Sequence, residues 1–126
     1  MKKFLLIFTL LFSLTLSVQA QKGDKIYDLA EEMPYYPGGH AAMIKFLAKN
    51  FKDFENVVKE QKRKRKDFIV MFVIEKNGRV TDVRVFRKAD DEEANKEAVR
   101  VVKKMRWKPA KEKGKKVRCR YTIRIA

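Results

Sequence analysis

The chain has 126 residues, of which 31 are Lys or Arg and 16 are Asp or Glu, so its formal net charge is +15. This length allows one domain with a modest core and excludes a second domain of similar size. The single cysteine, Cys119, excludes an intramolecular disulfide. It can pair between chains, as in a homodimer, or lie buried, and we favour burial because it falls on an apolar strand face.

The first predicted element is a secretory signal peptide. Two lysines precede a mostly apolar run from Phe4 to Val18, and Val18-Gln19-Ala20 offers small residues for cleavage. The run is shorter than the roughly 20 residues that span a bilayer. We therefore predict that residues 1–20 are removed and that the chain is exported. Retention as an inner-membrane anchor is the alternative.

Residues 21–32 are predicted to be a polar lead-in, and residues 33–126 to form the domain. The stretch "MPYYPGG" is too rich in Pro and Gly for regular structure and predicts an ordered loop. An amphipathic helix follows, and Asp53 is positioned to cap a further short helix. The apolar stripe of the first helix is Met43, Ile44, Leu47, Ala48 and Phe51.

Five consecutive basic residues come next, in "KEQKRKRKDF". As a solvated linker they form a polar connection into the first strand, which is the interpretation we prefer. As a functional element they form an anion-binding patch that faces a membrane or cell wall. Nucleic acid is a poor candidate for the anion, because an exported protein meets little of it. The residues of this basic run are Lys62, Arg63, Lys64, Arg65 and Lys66.

The stretch "FIVMFVIEKNGRVTDVRVF" predicts a β-hairpin, because Asn77-Gly78 favours a two-residue type I′ turn. This turn makes Lys76 face Arg79, Phe72 face Val83, and Val70 face Val85. One side of the hairpin is then core. The partly apolar second side, which includes Val80, suggests a covering segment or a partner. The core side is predicted to carry Phe68, Val70, Phe72, Ile74, Val83 and Val85.

The remaining elements are a helix and a strand. Acidic residues 90–93 suit a helix N-terminus, Asp90 with Glu93 resembles a capping box, and Pro109 follows the helix. "KKVRCRYTIRIA" alternates between apolar and polar residues, which predicts a half-buried terminal strand. The order is α-β-β-α-β, an α+β two-layer α/β sandwich with a three-stranded antiparallel sheet.

The sequence contains few residues that could act in catalysis. Serine is absent from residues 21–126, and the lone His40 follows two glycines in a loop. No metal-ligand spacing and no phosphate-binding glycine loop is present, and the acidic cluster is explained by helix capping. We therefore expect no catalytic residues, no cofactor and no metal site, and a chain that is not an enzyme.

The segments "MPYYPGGHAAMIKFLAKNF", "EAVRVVKKMRWKPA" and "GKKV" resemble signatures of TonB C-terminal domains, in a small exported form found in Bacteroidota-type proteins. The resemblance covers about residues 33–123. It departs from the family pattern at Asp53-Phe54, where the family has Tyr-Pro, and at Arg124, where the family has a closing proline.

The resemblance implies a periplasmic protein-interaction domain for energy-dependent transport across the outer membrane. Its partner would be a TonB-dependent transporter, whose TonB-box peptide adds to an edge strand. The alternative is an exported basic domain that binds an anionic membrane or cell-wall surface without a transporter. The implied partner-binding residues are Arg118, Arg120, Tyr121, Thr122, Ile123 and Arg124.

Overall fold

The computed structural model describes residues 24–126, and the predicted signal peptide lies outside the described residues. The elements are β1 (Ile26–Tyr27), α1 (Gly39–Asn50), α2 (Phe54–Lys64), β2 (Ile69–Ile74), β3 (Val80–Arg87), α3 (Glu92–Val102), β4 (Ala110–Glu112) and β5 (Lys115–Arg124). The predicted α+β class is confirmed. Among these residues, no helix is both long and apolar enough to cross a membrane.

The sheet has five strands, so the prediction of three was wrong. Its order is β1-β5-β2-β3, with β4 also paired to β5. Strand β2 is antiparallel to both β3 and β5, whereas β1 runs parallel to β5, which makes the sheet mixed. The extra strands have two and three residues, too few for an alternating pattern to reveal. The predicted polar lead-in therefore contains a strand.

One hydrophobic core joins the three helices to one face of the sheet. Leu47 on α1, Ala98 and Val101 on α3, and Phe68 before β2 are fully buried. Phe72 on β2 is also buried and packs near the lone tryptophan, Trp107. A small second cluster contains Ala30, Ala110 and Cys119, with Tyr27 and Val117 packed against it. These contacts hold β5, which takes part in both clusters, in a fixed position.

The β2–β3 turn differs from the predicted one. The Glu75 N–H donates to the Arg79 carbonyl at 2.8 Å, and the Gly78 N–H donates to the Glu75 carbonyl at 2.8 Å. Three residues therefore form the turn, and Lys76 does not face Arg79. Gly78, with φ of 83°, occupies the left-handed position that ends this kind of turn.

A bulge in β3 restores the predicted register farther from the turn. Asp82 has φ of 49°, and the pairing shifts between Met71 and Val73. Beyond it, Val70 pairs with Val85 as predicted, whereas near the turn Ile74 pairs with Val80. Val80 consequently lies in the main core, and its predicted position on the second face was wrong.

The helix caps also differ in detail from the predictions. Asp91 caps α3, because its extended backbone lets the side chain accept a hydrogen bond from the Glu93 N–H at 3.0 Å. The predicted cap, Asp90, precedes this position. The predicted short helix α2 is present, but Asp53 has φ of 60° and makes no side-chain capping bond. Its carbonyl accepts the Val57 N–H instead.

Candidate functional site

The outer edge of β5, opposite β2, is the candidate site. β2 pairs with β5 from Cys119 to Arg124. At the end of this ladder the Ile125 N–H donates to the Phe68 carbonyl at 2.8 Å. Because antiparallel pairs alternate, the backbone groups of Tyr121 and Ile123 also point towards β2. Those of Arg120, Thr122 and Arg124 point towards the outer edge.

Strand β1 covers only the beginning of this edge. Ile26 pairs with Arg118 and Tyr27 with Cys119, and the pairing ends there. Within residues 24–126, no strand pairs with the outward groups of Thr122 and Arg124. The backbone N–H and C=O groups of these two residues are therefore free to pair with another strand, just beyond the point where β1 pairs with β5 in parallel.

Three contacts anchor β1 and its flanks to the sheet. The Asp24 carboxylate lies 2.6 Å from the Lys76 ammonium, and the Asp24 carbonyl accepts from the Arg118 guanidinium at 3.2 Å. Asp28 lies 2.7 Å from the Arg120 guanidinium. These contacts explain why so short a strand is held at this edge.

An aromatic groove runs beside the open part of the edge. Its volume is about 260 Å³. The Trp107 ring lies 5.1 Å from the Tyr121 ring and 5.4 Å from the Tyr36 ring, between centroids. Burial raises the pKa of the Tyr36 hydroxyl. The side chains that line the groove come from the 35–40 loop, α1, Trp107 and β5, and include Tyr35, Tyr36, His40, Met43, Trp107 and Tyr121–Arg124.

The structure places the six predicted partner-binding residues at three positions along β5. Tyr121, Thr122, Ile123 and Arg124 line the groove, whereas Arg118 lies at the part of the edge that β1 covers. Arg120, the sixth, follows the covered part and reaches back to the lead-in segment.

The arginines of β5 are paired with carboxylates of the same chain. Arg118 lies 2.7 Å from Glu75, and its guanidinium holds the pKa of that carboxyl below its usual value. Arg124 binds Asp67, and Arg120 binds Asp28 as described above. The positive charges of these three arginines are thus compensated within the domain.

The basic run was predicted to be a linker into the first strand. In the structure its first three residues belong to α2, and only the rest connects α2 to β2. Lys62, Arg63 and Lys64 form the last turn of the helix, and Arg65 ends it in the left-handed conformation. Basic residues at a helix C-terminus interact favourably with the helix dipole. The position of the run therefore has a structural explanation.

Part of the charge of this run is also compensated. Arg63 pairs with Glu60 at 2.9 Å, and Lys64 and Lys66 both bind Asp90, at 3.1 and 2.9 Å. Their hydrogen bonds hold the pKa of Asp90 below its usual value. The run is consequently a weaker candidate for an anion patch than its sequence indicates.

Sequence reasoning missed the groove-lining residues outside β5. His40, predicted to lie in a loop, stands in the first turn of α1, and Tyr35 and Tyr36 belong to a segment predicted only as a loop. The sequence signal was the aromatic pair in "MPYYPGG" together with the lone Trp107. The sequence does not show that these aromatic residues line one groove, because they are brought together by the long-range pairing of Tyr35 with Lys108.

The structure bears on two further kinds of reactive site, a cysteine nucleophile and a metal site. The Cys119 thiol is buried, and burial raises its pKa, as expected for a packed residue. Among residues 24–126, no three His, Cys, Asp or Glu side chains form a group that could hold a metal ion. The groove and the β5 edge therefore remain the candidate site.

A comparison with curated proteins found no match. A family model, described as Gram-negative bacterial TonB protein C-terminal, matches residues 60–126, from the last turns of α2 to the end of β5 and beyond. The domains of this family are protein-interaction domains associated with transport, and they are periplasmic in general. The match covers more than half of the chain and includes the open edge, so the chain belongs to the TonB C-terminal domain family.

Proposed function

We propose that this domain acts in the periplasm and binds an outer-membrane TonB-dependent transporter by strand addition to β5. The observation that carries the proposal is the open edge at Thr122 and Arg124, whose backbone groups face away from β2. An extended peptide gains main-chain hydrogen bonds at such an edge. The added strand would continue the line that β1 begins.

The groove supplies side-chain specificity for this peptide. Alternate residues of an added strand point to the helix side of the sheet, where Tyr36, Trp107 and Tyr121 line a cavity of about 260 Å³. This volume is large enough for an apolar side chain such as Val, Leu or Ile. The other alternate residues would face the polar surface that carries Thr122. The proposal thus requires an alternating peptide with apolar residues on one face.

A proline scan of the edge tests the mechanism. Thr122→Pro removes an outward donor without removing a bond to β2, so we expect a folded protein that has lost peptide binding. Thr122→Val keeps the donor and the strand preference, and it should bind as the parent does. Ile123→Pro removes both a bond to β2 and a buried side chain, so it should instead lower stability by about 3 kcal/mol or more.

The assay is binding of synthetic peptides that cover the N-terminal segments of outer-membrane transporters, with folding checked by circular dichroism. Capture of transporters from outer-membrane extracts at high salt is the companion measurement, because main-chain bonds are screened less than surface charges. Equal binding by folded Thr122→Pro and by the parent would contradict strand addition. Capture that disappears at high salt would favour an anionic-surface interaction.

A further inference from the structure

A second, larger cleft adjoins the aromatic groove and is positively charged. Its volume is about 590 Å³, and Tyr35 and Trp107 line both cavities. The lysines that line it are Lys76, Lys108, Lys111 and Lys116, and Glu32 is a carboxylate among its walls. We call the cavity with its four lysines the lysine cleft.

Two of these lysines face each other directly across a pair of strands. Lys111 on β4 is the cross-strand partner of Lys116 on β5. Like charges in this position are destabilising unless another group compensates them. Lys76 has Asp24 as its partner, whereas Lys108, Lys111 and Lys116 form no ion pair with any residue of the described part of the chain. The cleft therefore has uncompensated positive charge.

The lysine cleft meets the aromatic groove at Trp107. Trp107 forms part of the boundary between the two cavities and is 5% exposed. Its indole Nε1 is buried without a hydrogen-bond partner among residues 24–126. A chain that pairs with the β5 edge thus has an aromatic groove beside it and a positive cleft immediately next to that groove.

We infer that the lysine cleft binds the carboxylates of an acidic segment that flanks the added strand, so that the domain selects peptides with acidic residues beside an apolar core. This inference rests on the proposed function. It assigns the charge selectivity to Lys108, Lys111 and Lys116, and not to the arginines of β5. Those arginines already bind carboxylates of the same chain, as described above.

The test uses capped peptides of five alternating Val and Thr residues, followed or preceded by three Glu, and matching peptides with Gln in place of Glu. Trp107 is the single tryptophan of the chain and lines both cavities, so its fluorescence reports binding. At low salt we expect the parent to bind one of the Glu peptides about tenfold more tightly than its Gln counterpart.

The double variant Lys111→Gln/Lys116→Gln should reduce this preference about fivefold and leave the affinity for the Gln peptide within twofold. The control, Lys103→Gln/Lys104→Gln, makes the same charge change at exposed positions after α3 and should leave the preference unchanged. A tenfold preference that persists in the Lys111/Lys116 variant would overturn the inference.

Three further outcomes separate this inference from its rivals. If Glu and Gln peptides bind the parent equally, and Thr122→Pro abolishes both, strand addition stands and the charge inference is wrong. If neither peptide binds the parent although a transporter-derived peptide does, strand addition stands and the charge inference is wrong. Vesicles that contain phosphatidylglycerol serve as a separate probe. Their binding through Lys111 and Lys116, without any Glu-peptide preference, would replace the acidic peptide with a lipid surface.

Discussion

Truncation of Phe72 to alanine tests the packing that holds the groove against β5. Phe72 is 1% exposed, and its ring centroid lies 5.7 Å from that of Trp107 and 6.2 Å from that of Tyr121. Loss of the buried ring removes about 2 kcal/mol of transfer free energy. A residual cavity of about 100 Å³ adds about 2 kcal/mol more. We therefore expect the free energy of unfolding to fall by about 3–5 kcal/mol.

Urea denaturation followed by circular dichroism measures this change. The control is Arg84→Ala, because the Arg84 side chain is 75% exposed and pairs only with the neighbouring carboxylate of Asp82 in the described residues. It should cost well under 1 kcal/mol. Losses of similar size in the two variants would mean that the faces of the β2–β3 hairpin are assigned wrongly.

Two other substitutions probe a charge and a turn. Hydrogen bonds from Arg100 and from the Lys52 backbone lower the pKa of Glu97 to about 2, so its stabilising contribution is present above pH 4.5 and is lost as the pH falls towards 2. Glu97→Gln should cost about 1 kcal/mol at pH 7 and only a small part of that near pH 2, where the carboxyl is about half protonated in the folded state, and a cost independent of pH would contradict this. Gly78→Ala should cost roughly 3 kcal/mol in urea denaturation, because its Cβ would lie 2.1 Å from the Trp107 carbonyl oxygen at a φ of +83°. Gly114→Ala, at a φ of +78° with open space, should cost about 1–2 kcal/mol, and equal losses would exclude the contact with Trp107.

The hairpin illustrates what the sequence can and cannot predict. Alternation predicted both strands, and Asn77-Gly78 predicted a turn between them. The same pair suits a two-residue and a three-residue turn, because Gly78 can adopt a positive φ in either. A distant contact favours the longer turn, since the Trp107 N–H donates to the Gly78 carbonyl at 2.9 Å. No local pattern contains that information.

The candidate site shows the same limit more strongly. The β5 edge was predictable because nine residues alternate, from Val117 to Ile125, but β1 has two residues and carries no periodic signal. The ion pairs that compensate the β5 arginines could not be predicted from the sequence either. Asp28 and Glu75 reach the β5 arginines only after the sheet has formed, from 92 and 43 positions away in the chain. Sequence alone therefore overstated the free charge of the β5 arginines and gave no sign that Lys108, Lys111 and Lys116 come together in one cleft.

Amide hydrogen exchange at single-residue resolution tests the proposed strand addition most directly. In the free chain, the N–H groups of Tyr121 and Ile123 should exchange slowly because they donate to β2, whereas those of Thr122 and Arg124 should exchange quickly. A transporter-derived peptide that adds to the edge should slow exchange at Thr122 and Arg124 and leave Tyr121 and Ile123 nearly unchanged. Peptide binding with fast exchange still present at Thr122 and Arg124 would contradict strand addition to β5.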